Sequence, residues 1–233
     1  METAIAATRK PRERIIDAAC DLFRKHGIRG VGVDAIAEAA DTNKMTLYRH
    51  FGSKDDLVVA WLREVEQAGE AAWRNLQTAH PNDPMARIYD WVGMAAECAV
   101  GDGRGCDMAN TAIELTEMNH PARRVILEFK TRHRERLVQL CRDAGIVEGD
   151  LLADALYLLV EGARVSRQSV GILGPSAHFV MVAEAVIKAF ANSNPDAAAK
   201  ACLNSIEPEK QASTAKQGSP EKRGSPEKQV LGA

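Results

Sequence analysis

Apolar residues recur at steps of three and four positions along most of this chain, which is the spacing of one face of an α-helix. The strict alternation of apolar and polar residues that marks half-buried strands does not occur. Breaks rich in Gly, Pro and Asn, such as "HPNDP" at 80–84, separate the helical segments. The sequence therefore predicts an all-α fold of about nine helices, at 11–26, 33–40, 44–50, 54–79, 85–100, 107–118, 121–144, 150–170 and 176–191.

Composition limits the kind of protein that these helices form. The 233 residues are 45% hydrophobic and 27% charged, which suits a globular chain of one or two domains with a sizeable core. A net charge of −2 excludes a polybasic nucleic-acid coat, so any surface for nucleic acid has to be local. The N-terminus lacks the order of a signal peptide, and no run of about 20 apolar residues is present to span a membrane.

The cysteines and histidines form no metal-binding or catalytic pattern. Five scattered cysteines without CxxC spacing indicate a reducing compartment rather than a disulfide framework. None of the six histidines pairs at i, i+4 with an acid or a cysteine, and no local grouping of nucleophile, base and acid is visible. We therefore expect a cytoplasmic protein that is not an enzyme, with no cofactor, no metal and no membrane partner.

Three short predicted helices near the N-terminus enclose a tight turn, "DTN" at 41–43. Asn43 is a good N-cap for the third helix, and Gly52 ends it. Leu47 and Phe51 fall on one side of that helix, while its other side carries hydrogen-bonding groups. Two helices joined by a tight turn, the second with a polar outer face, are typical of a helix-turn-helix unit that enters the major groove of DNA.

The charge of this N-terminal region supports a local DNA surface. From Arg9 to Lys54 the chain has ten Lys and Arg residues against six acids, although the whole chain is slightly negative. Such a local excess is what a DNA-binding face requires. The preceding basic segment "TRKPRER" at 8–14, with Arg9 and Lys10, suits a minor groove or a run of phosphates.

The segment "IIDAACDLFRKHGIRGVGVDAIAEAADTNKMTLYRHFGSKDDLV" resembles the DNA-binding domain of the TetR/AcrR family of transcriptional regulators. Two positions depart from the family pattern, because Asp41 replaces the usual Gly of the turn and Asn43 the usual Ser cap. Asp tolerates a left-handed backbone better than most residues, and Asn is an equivalent cap, so neither change breaks the fold. The matching positions are Ala19, Leu22, Phe23, Gly27, Val33, Ile36, Ala37, Ala40, Thr46, Leu47, Tyr48, His50, Phe51, Ser53, Lys54 and Leu57.

The resemblance implies a ligand-responsive DNA-binding regulator, expected to be a repressor that a small molecule releases from its operator. Two recognition helices have to meet two half-sites of a near-palindromic duplex, so a homodimer is expected. The implied organisation is a flexible basic arm at 1–10, a helix-turn-helix domain at 11–57 whose fourth helix continues to about 79, an effector-binding and dimerisation domain at 80–192, and a tail at 193–233. The tail repeats "GSPEK" and has the composition of a disordered segment.

Roles for individual residues follow partly from the resemblance and partly from the chemistry of the side chains. By resemblance, Tyr48, His50 and Lys54 touch phosphates, which sets the register on the duplex. Residues at the start of the recognition helix are the candidates for base edges, since Lys suits guanine, Asn suits adenine, and Met or a Thr methyl suits thymine. The expected DNA-binding residues are Asn43, Lys44, Met45, Thr46, Tyr48, Arg49, His50, Lys54, Arg9 and Lys10.

Polar side chains within the apolar helices of the second half indicate a ligand cavity. Ligand pockets are mostly apolar, with a few polar groups that fix orientation. An ion pair between Glu161 and Arg164, inside the fold or at a dimer interface, is an equally good interpretation of part of this set. The expected pocket residues are Trp91, Met94, Cys98, Met108, Asn110, Phe129, His133, Tyr157, Glu161 and Arg164.

Two other functions stay open from the sequence alone. Cys106 lies beside Arg104 at the expected start of a helix, where a thiolate is stabilised, so the regulator could respond to thiol chemistry instead of a ligand. The chain could also be a helical enzyme or small-molecule carrier without a DNA role. Loss of DNA affinity in a Lys44 and Tyr48 double alanine variant, with ligand binding retained, would distinguish the regulator from that alternative.

Overall fold

The computed structural model describes residues 9–100 and 104–193, and the expected arm at 1–10 and tail at 193–233 lie almost entirely outside these ranges. Within them the chain is all helical, as predicted, and contains no strand. The α-helices are α1 (Pro11–His26), α2 (Val33–Ala39), α3 (Lys44–Phe51), α4 (Lys54–Ala79), α5 (Pro84–Val100), α6 (Asp107–Glu114), α7 (Pro121–Asp143), α8 (Gly149–Val170) and α9 (Phe179–Ala191).

Capping interactions explain where α3 and α4 begin. The side chain of Asn43 accepts from the amide of Thr46 at 2.9 Å, and Ser53 accepts from the amide of Asp56 at 3.0 Å. Each bond satisfies one of the amides that a helix start leaves without a partner. The reciprocal bond that would complete a capping box at Ser53 does not form, because the Ser53 amide donates to the carbonyl of Phe51 instead of to Asp56.

Two boundaries differ from those predicted. Helix α6 ends at Glu114 and not at 118, because Leu115 leaves the helical conformation and is buried in the N-terminal half of the protein. The last predicted helix, 176–191, is split into a 3-10 turn at Pro175–His178 and α9 from Phe179. Both differences depend on contacts that are distant in sequence, which helical spacing alone does not reveal.

The apolar interior consists of two clusters. One belongs to α5, α7, α8 and α9, with the C-terminal part of α4, and contains Trp91, Leu137, Leu156 and Phe179. The other, called the N-terminal core, includes side chains of α6 and of the first turns of α7 as well as those of the helix-turn-helix segment. Its members include Ile15, Ala19, Phe23, Ile36, Leu47, Phe51, Leu57, Trp61, Leu62, Met108, Leu115, Ala122, Val125 and Ile126.

Helix α4 connects the two halves, because its N-terminal residues Leu57 and Leu62 lie in the N-terminal core while Leu76 lies in the other cluster. Helices α7 and α8 pack against each other, and α7 also packs against α4. In the described part of the chain, no helix is long and apolar enough to cross a membrane.

Candidate DNA-binding surface and ligand cavity

The turn between α2 and α3 is a Schellman motif built around Asp41. The amide of Thr42 donates to the carbonyl of Ala37 at 2.9 Å, and the amide of Asp41 donates to that of Glu38 at 3.0 Å. This pattern requires a left-handed residue after the helix, and Asp41 adopts φ 49°, a conformation that usually selects Gly. Arg14 holds Asp41 in place, with its Nη1 3.2 Å from the carboxylate.

Helix α3 has the two-sided character that the sequence predicts. Leu47 is fully buried and Phe51 is 7% exposed, so both anchor the helix in the N-terminal core. On the other side Met45 is 82% exposed and Tyr48 is 39% exposed, which rules out a core position for the tyrosine. The other outward residues are Asn43, Lys44, Arg49 and His50, with Thr46 half-buried beside them.

Several of the expected DNA-binding cations already have partners within the chain. Lys44 pairs with Asp34 at 3.1 Å, and Arg9 pairs with Asp17, in both cases at an exposed position where phosphate can compete. Lys54 differs, because its Nζ donates to the carbonyl of Ile28 at 2.5 Å and burial lowers the pKa of its ammonium. A phosphate role for Lys54 therefore remains a prediction that requires this bond to be shared or broken.

A cavity lies among α4, α5, α6, α7 and α8. Its volume of about 470 Å³ is within the range of ligand pockets. Nine of the ten expected pocket residues line it: Trp91, Met94, Cys98, Met108, Phe129, His133, Tyr157, Glu161 and Arg164. Asn110 was wrongly placed in this set, because it is exposed and its side-chain amide donates to the carbonyl of Arg104 at 2.6 Å. Glu114, four residues later on the same helix face, does not line the cavity either.

The polar groups of the cavity converge on Glu161. Its Oε1 accepts from Lys130 at 2.9 Å and from Arg164 at 2.8 Å, so the expected ion pair exists and has a second cation. Burial by itself lowers the pKa of Lys130, but the electrostatic interactions of the ammonium with its neighbours, among them Glu161, outweigh burial, and the pKa lies above its usual value. Lys130 also lies over the ring of Tyr157, 5.4 Å from its centroid.

Aromatic rings form another part of the cavity wall, with His133 at their centre. Its ring centroid lies 5.4 Å from that of Trp73, 5.9 Å from Phe129 and 6.1 Å from both Trp91 and Tyr157. Burial, followed by the charges of Lys130 and Arg164, lowers the pKa of His133 to about 4. The imidazole is therefore neutral at pH 7, and because its Nδ1 accepts from Trp73 at 3.1 Å, its proton is on Nε2.

Residues 15–61, which contain the turn and α3, match the family model of bacterial regulatory proteins of the tetR family. Over 162 residues, 65% of this chain, it is 24% identical to the HTH-type transcriptional regulator AcrR of Shigella flexneri and covers 73% of that protein. A transcriptional repressor of Mycobacterium tuberculosis is 35% identical over 89 residues, 38% of this chain and 46% of the repressor. Residues 15–61 are therefore a DNA-binding segment of the TetR-family type. The chain is a DNA-binding transcriptional regulator, and its relatives are regulators rather than enzymes.

Solved structures of TetR-family regulators share the architecture of this chain. A TetR-family transcriptional regulator from Streptomyces coelicolor matches with a TM-score of 0.69 and 25% identity, over 77% of this chain and 95% of that one. A regulatory protein TetR from Rhodobacter sphaeroides matches with a TM-score of 0.61 and 25% identity, over 73% of this chain and 95% of that one. The likeness therefore extends through α4 to α9, far beyond the segment that the sequence motif covers.

Sequence reasoning missed several residues of the cavity in this regulator. Lys130 and Trp73 both line it, and so do Arg24 and Asp107, which pair with each other at 2.5 Å. Lys130 had a usable signal, since it is a cation three residues before His133 in a stretch that supplies other pocket residues. Arg24 had none, because it comes from α1 and reaches the cavity only through the packing of the N-terminal core against α6.

Helix α6 connects the cavity to the DNA-binding half of the regulator. At its start, the half-buried Cys106 and Asp107 and the fully buried Met108 line the cavity. At its end, the carboxylate of Glu114 accepts from the amides of Ile28 at 2.9 Å and Arg29 at 2.5 Å, in the loop that follows α1.

Gly27 makes the contact at the end of α6 possible. It has φ 75°, and a side chain there would meet the Glu114 carboxylate at 3.1 Å. The loop after α1 therefore depends on glycine both for its left-handed backbone and for its close approach to α6.

Proposed function

We propose that this regulator is an operator-binding repressor that acts as a homodimer in the cytoplasm and leaves DNA when a small molecule occupies the cavity. The observation that carries this proposal is the position of α6, which lines the cavity at one end and binds the loop after α1 at the other. A ligand that prefers one position of α6 also favours one position of the DNA-binding domain. It changes operator affinity only by the difference between its affinities for the two states.

The DNA-binding surface consists of the outward face of α3 and the basic residues near it. Its exposure and the capped start of α3 support base contacts by Asn43, Lys44, Met45 and Thr46. We assign phosphate contacts to the residues farther along the helix and at the start of α1 and α4, because their side chains carry hydrogen-bond donors suited to phosphate. They are Tyr48, Arg49, His50, Lys54, Arg9 and Lys10.

Exposed apolar side chains on the last two helices support a dimer. Leu151, Leu158 and Val165 are 56%, 70% and 60% exposed and recur every seven residues along α8, so they form one stripe. Met181 and Val182 on α9 are also exposed. We infer that a second copy of the chain covers these surfaces. Residues 80–192 would then form the dimerisation and effector domain, and residues 11–57 the DNA-binding domain.

Helix α7 offers a second route from the cavity to the DNA-binding half. One of its faces supplies Phe129 and His133 to the cavity. Another binds α4, since Arg132 lies 2.7 Å from buried Glu66 and Arg136 lies 2.6 Å from Glu70. A displacement of α7 is therefore passed to α4, whose first residues pack beneath α3, and the spacing of the two recognition helices would change.

The proposal is tested with the full chain and a DNA fragment from upstream of its own coding sequence. Gel retardation at low salt should show one specific complex with the mass of a dimer on DNA, and a cavity ligand should weaken it. Replacing Glu114 with Ala should preserve the complex and reduce its sensitivity to ligand, because α6 then loses its hold on the loop after α1. A chain that is monomeric under these conditions, or whose specific complex no cavity ligand affects, would refute the proposal.

Thiol chemistry at Cys106 stays a competing prediction for the same regulator, since this residue lies at the start of α6 and lines the cavity. Under that mechanism oxidants or electrophiles release the DNA, and Cys106→Ser abolishes the release. Under the ligand mechanism Cys106→Ser leaves release by a cavity ligand in place. The two mechanisms are therefore separated by one variant in the retardation assay.

A further inference from the structure

The charges of the cavity do not balance. Four of the side chains that line it are cations (Arg24, Arg104, Lys130 and Arg164) and three are anions (Glu97, Asp107 and Glu161), which leaves an excess of one positive charge. Arg24 and Asp107 neutralise each other through their ion pair. Lys130 and Arg164 share a single oxygen of Glu161, so this partly buried group has two positive charges against one negative charge. An uncompensated charge in such a place is costly unless a counter-charge reaches it.

Arg164 has a donor suited to such a counter-charge. Its Nη1 holds Glu161, whereas its Nε is buried and has no hydrogen-bond partner in the described part of the chain. The Nε side of a guanidinium is one of the edges that bind carboxylates through two parallel bonds. The indole Nε1 of Trp91, on the wall of the cavity, is also buried without such a partner.

The shape and lining of the cavity favour a flat ligand of modest size. Aromatic rings prefer offset-stacked or edge-to-face neighbours, and four of them surround His133 on the wall of the cavity. At roughly 30 Å³ for each water-sized group, a volume of about 470 Å³ holds roughly 15 such groups. That is the size of one or two fused rings with a small substituent.

We propose that the effector of this regulator is an aromatic carboxylate of one or two rings, with its carboxylate on Arg164 and Lys130 and its rings among Trp91, Phe129, His133 and Tyr157. The carboxylate supplies the missing negative charge and accepts from the Nε of Arg164. This assignment rests on the proposed function of the cavity as an effector site.

The test compares three probes of nearly equal shape by isothermal titration calorimetry with the full chain: 2-naphthoate, 2-naphthamide and 2-naphthylmethylammonium. The anion should bind at least about tenfold tighter than the neutral amide, because only the anion forms charge-assisted bonds, and the cation should bind most weakly. Equal affinities, a preference for the amide or the cation, or no saturable binding of naphthoate would overturn the inference.

Variants connect this preference to its residues. Arg164→Gln should reduce the preference for naphthoate over naphthamide to about threefold or less, and Arg164→Lys should reduce it less, because it keeps the charge and loses the Nε donor. Lys130→Met should also reduce the preference, and serves as the test if an Arg164 variant does not fold. Arg124→Gln, on the exposed surface of α7, is the matched control and should not change it. A preference unchanged in both Arg164→Gln and Lys130→Met would contradict the assigned anion site.

The outcomes separate this inference from the proposed function. The calorimetric preference is measured without DNA, so failure of operator binding would remove the proposed function and leave the preference intact. A neutral or cationic compound that binds the cavity and releases DNA would confirm the effector site and overturn the chemical class of its ligand.

Discussion

Replacing Glu114 with Ala tests the connection between α6 and the loop after α1. In the folded protein this carboxylate accepts two backbone amides, those of Ile28 and Arg29. Hydrogen bonds to a charged group contribute roughly 1.5–3 kcal/mol each. The amide of Arg29 is exposed and regains a water partner when the carboxylate is removed. Only the loss of the partly buried bond to Ile28 therefore lowers the free energy of unfolding by its full amount. We therefore expect the free energy of unfolding to fall by about 2 kcal/mol in Glu114→Ala.

Glu114→Gln retains one acceptor oxygen and should lose about half as much, roughly 1 kcal/mol. Urea unfolding followed by circular dichroism measures both values, and amide hydrogen exchange shows where the effect lies. Exchange at Ile28 and Arg29 should accelerate in Glu114→Ala more than at the amides of α3. Glu117→Ala, which removes only an exposed ion pair with Arg29, is the control and should have little effect. Unchanged exchange at Ile28 together with wild-type stability would refute the reasoning.

Three further predictions concern stability. Leu47→Ala should cost roughly 2–5 kcal/mol in thermal or urea unfolding because Leu47 is fully buried, while Met45→Ala should leave stability nearly unchanged. Asp41→Ala should be less stable than Asp41→Gly by roughly 0.5–1 kcal/mol, since both lose the carboxylate that pairs with Arg14 and only Ala is strained by the left-handed backbone. The pKa of His133 is about 4 in the folded protein and 6.5 in the unfolded chain, so the unfolded chain binds more protons between these pH values. The free energy of unfolding should therefore fall by up to roughly 3 kcal/mol as the pH decreases from 6.5 to 4. His133→Gln should show a smaller acid-dependent loss in urea titrations, and an equal loss would show that another group is responsible.

Local chemistry was sufficient to predict the helix-turn-helix segment. Asn43 and Ser53 start α3 and α4, and Gly52 ends α3, through bonds within four residues. These helix boundaries are therefore readable from the local sequence. The burial of Leu47 and Phe51 followed from helical spacing alone. Asp41 was expected to tolerate the left-handed turn, and the structure confirms that conformation.

The parts that were missed depend on contacts between distant segments. Helix α6 ends at Glu114 because Leu115 enters the N-terminal core, and the carboxylate of Glu114 binds amides 85 and 86 positions earlier. No local signal encodes contacts over that distance. Asn110 follows the spacing of pocket residues but faces outward, because the orientation of α6 is set by its packing on the N-terminal core. Trp73 was omitted for a similar reason, since it belongs to the long α4 and reaches the cavity only where α4 crosses α7.

The central claim is that the outward face of α3 contacts operator DNA while Leu47 and Phe51 hold it in place. Fluorescence anisotropy with labelled operator tests it most directly, by comparing the wild-type chain, the Lys44→Ala/Tyr48→Ala double variant and Arg142→Ala, an exposed change on distant α7. We predict that the double variant folds normally and loses at least roughly thirtyfold in affinity, while Arg142→Ala binds as the wild type does. Wild-type operator affinity in a correctly folded double variant would contradict the account.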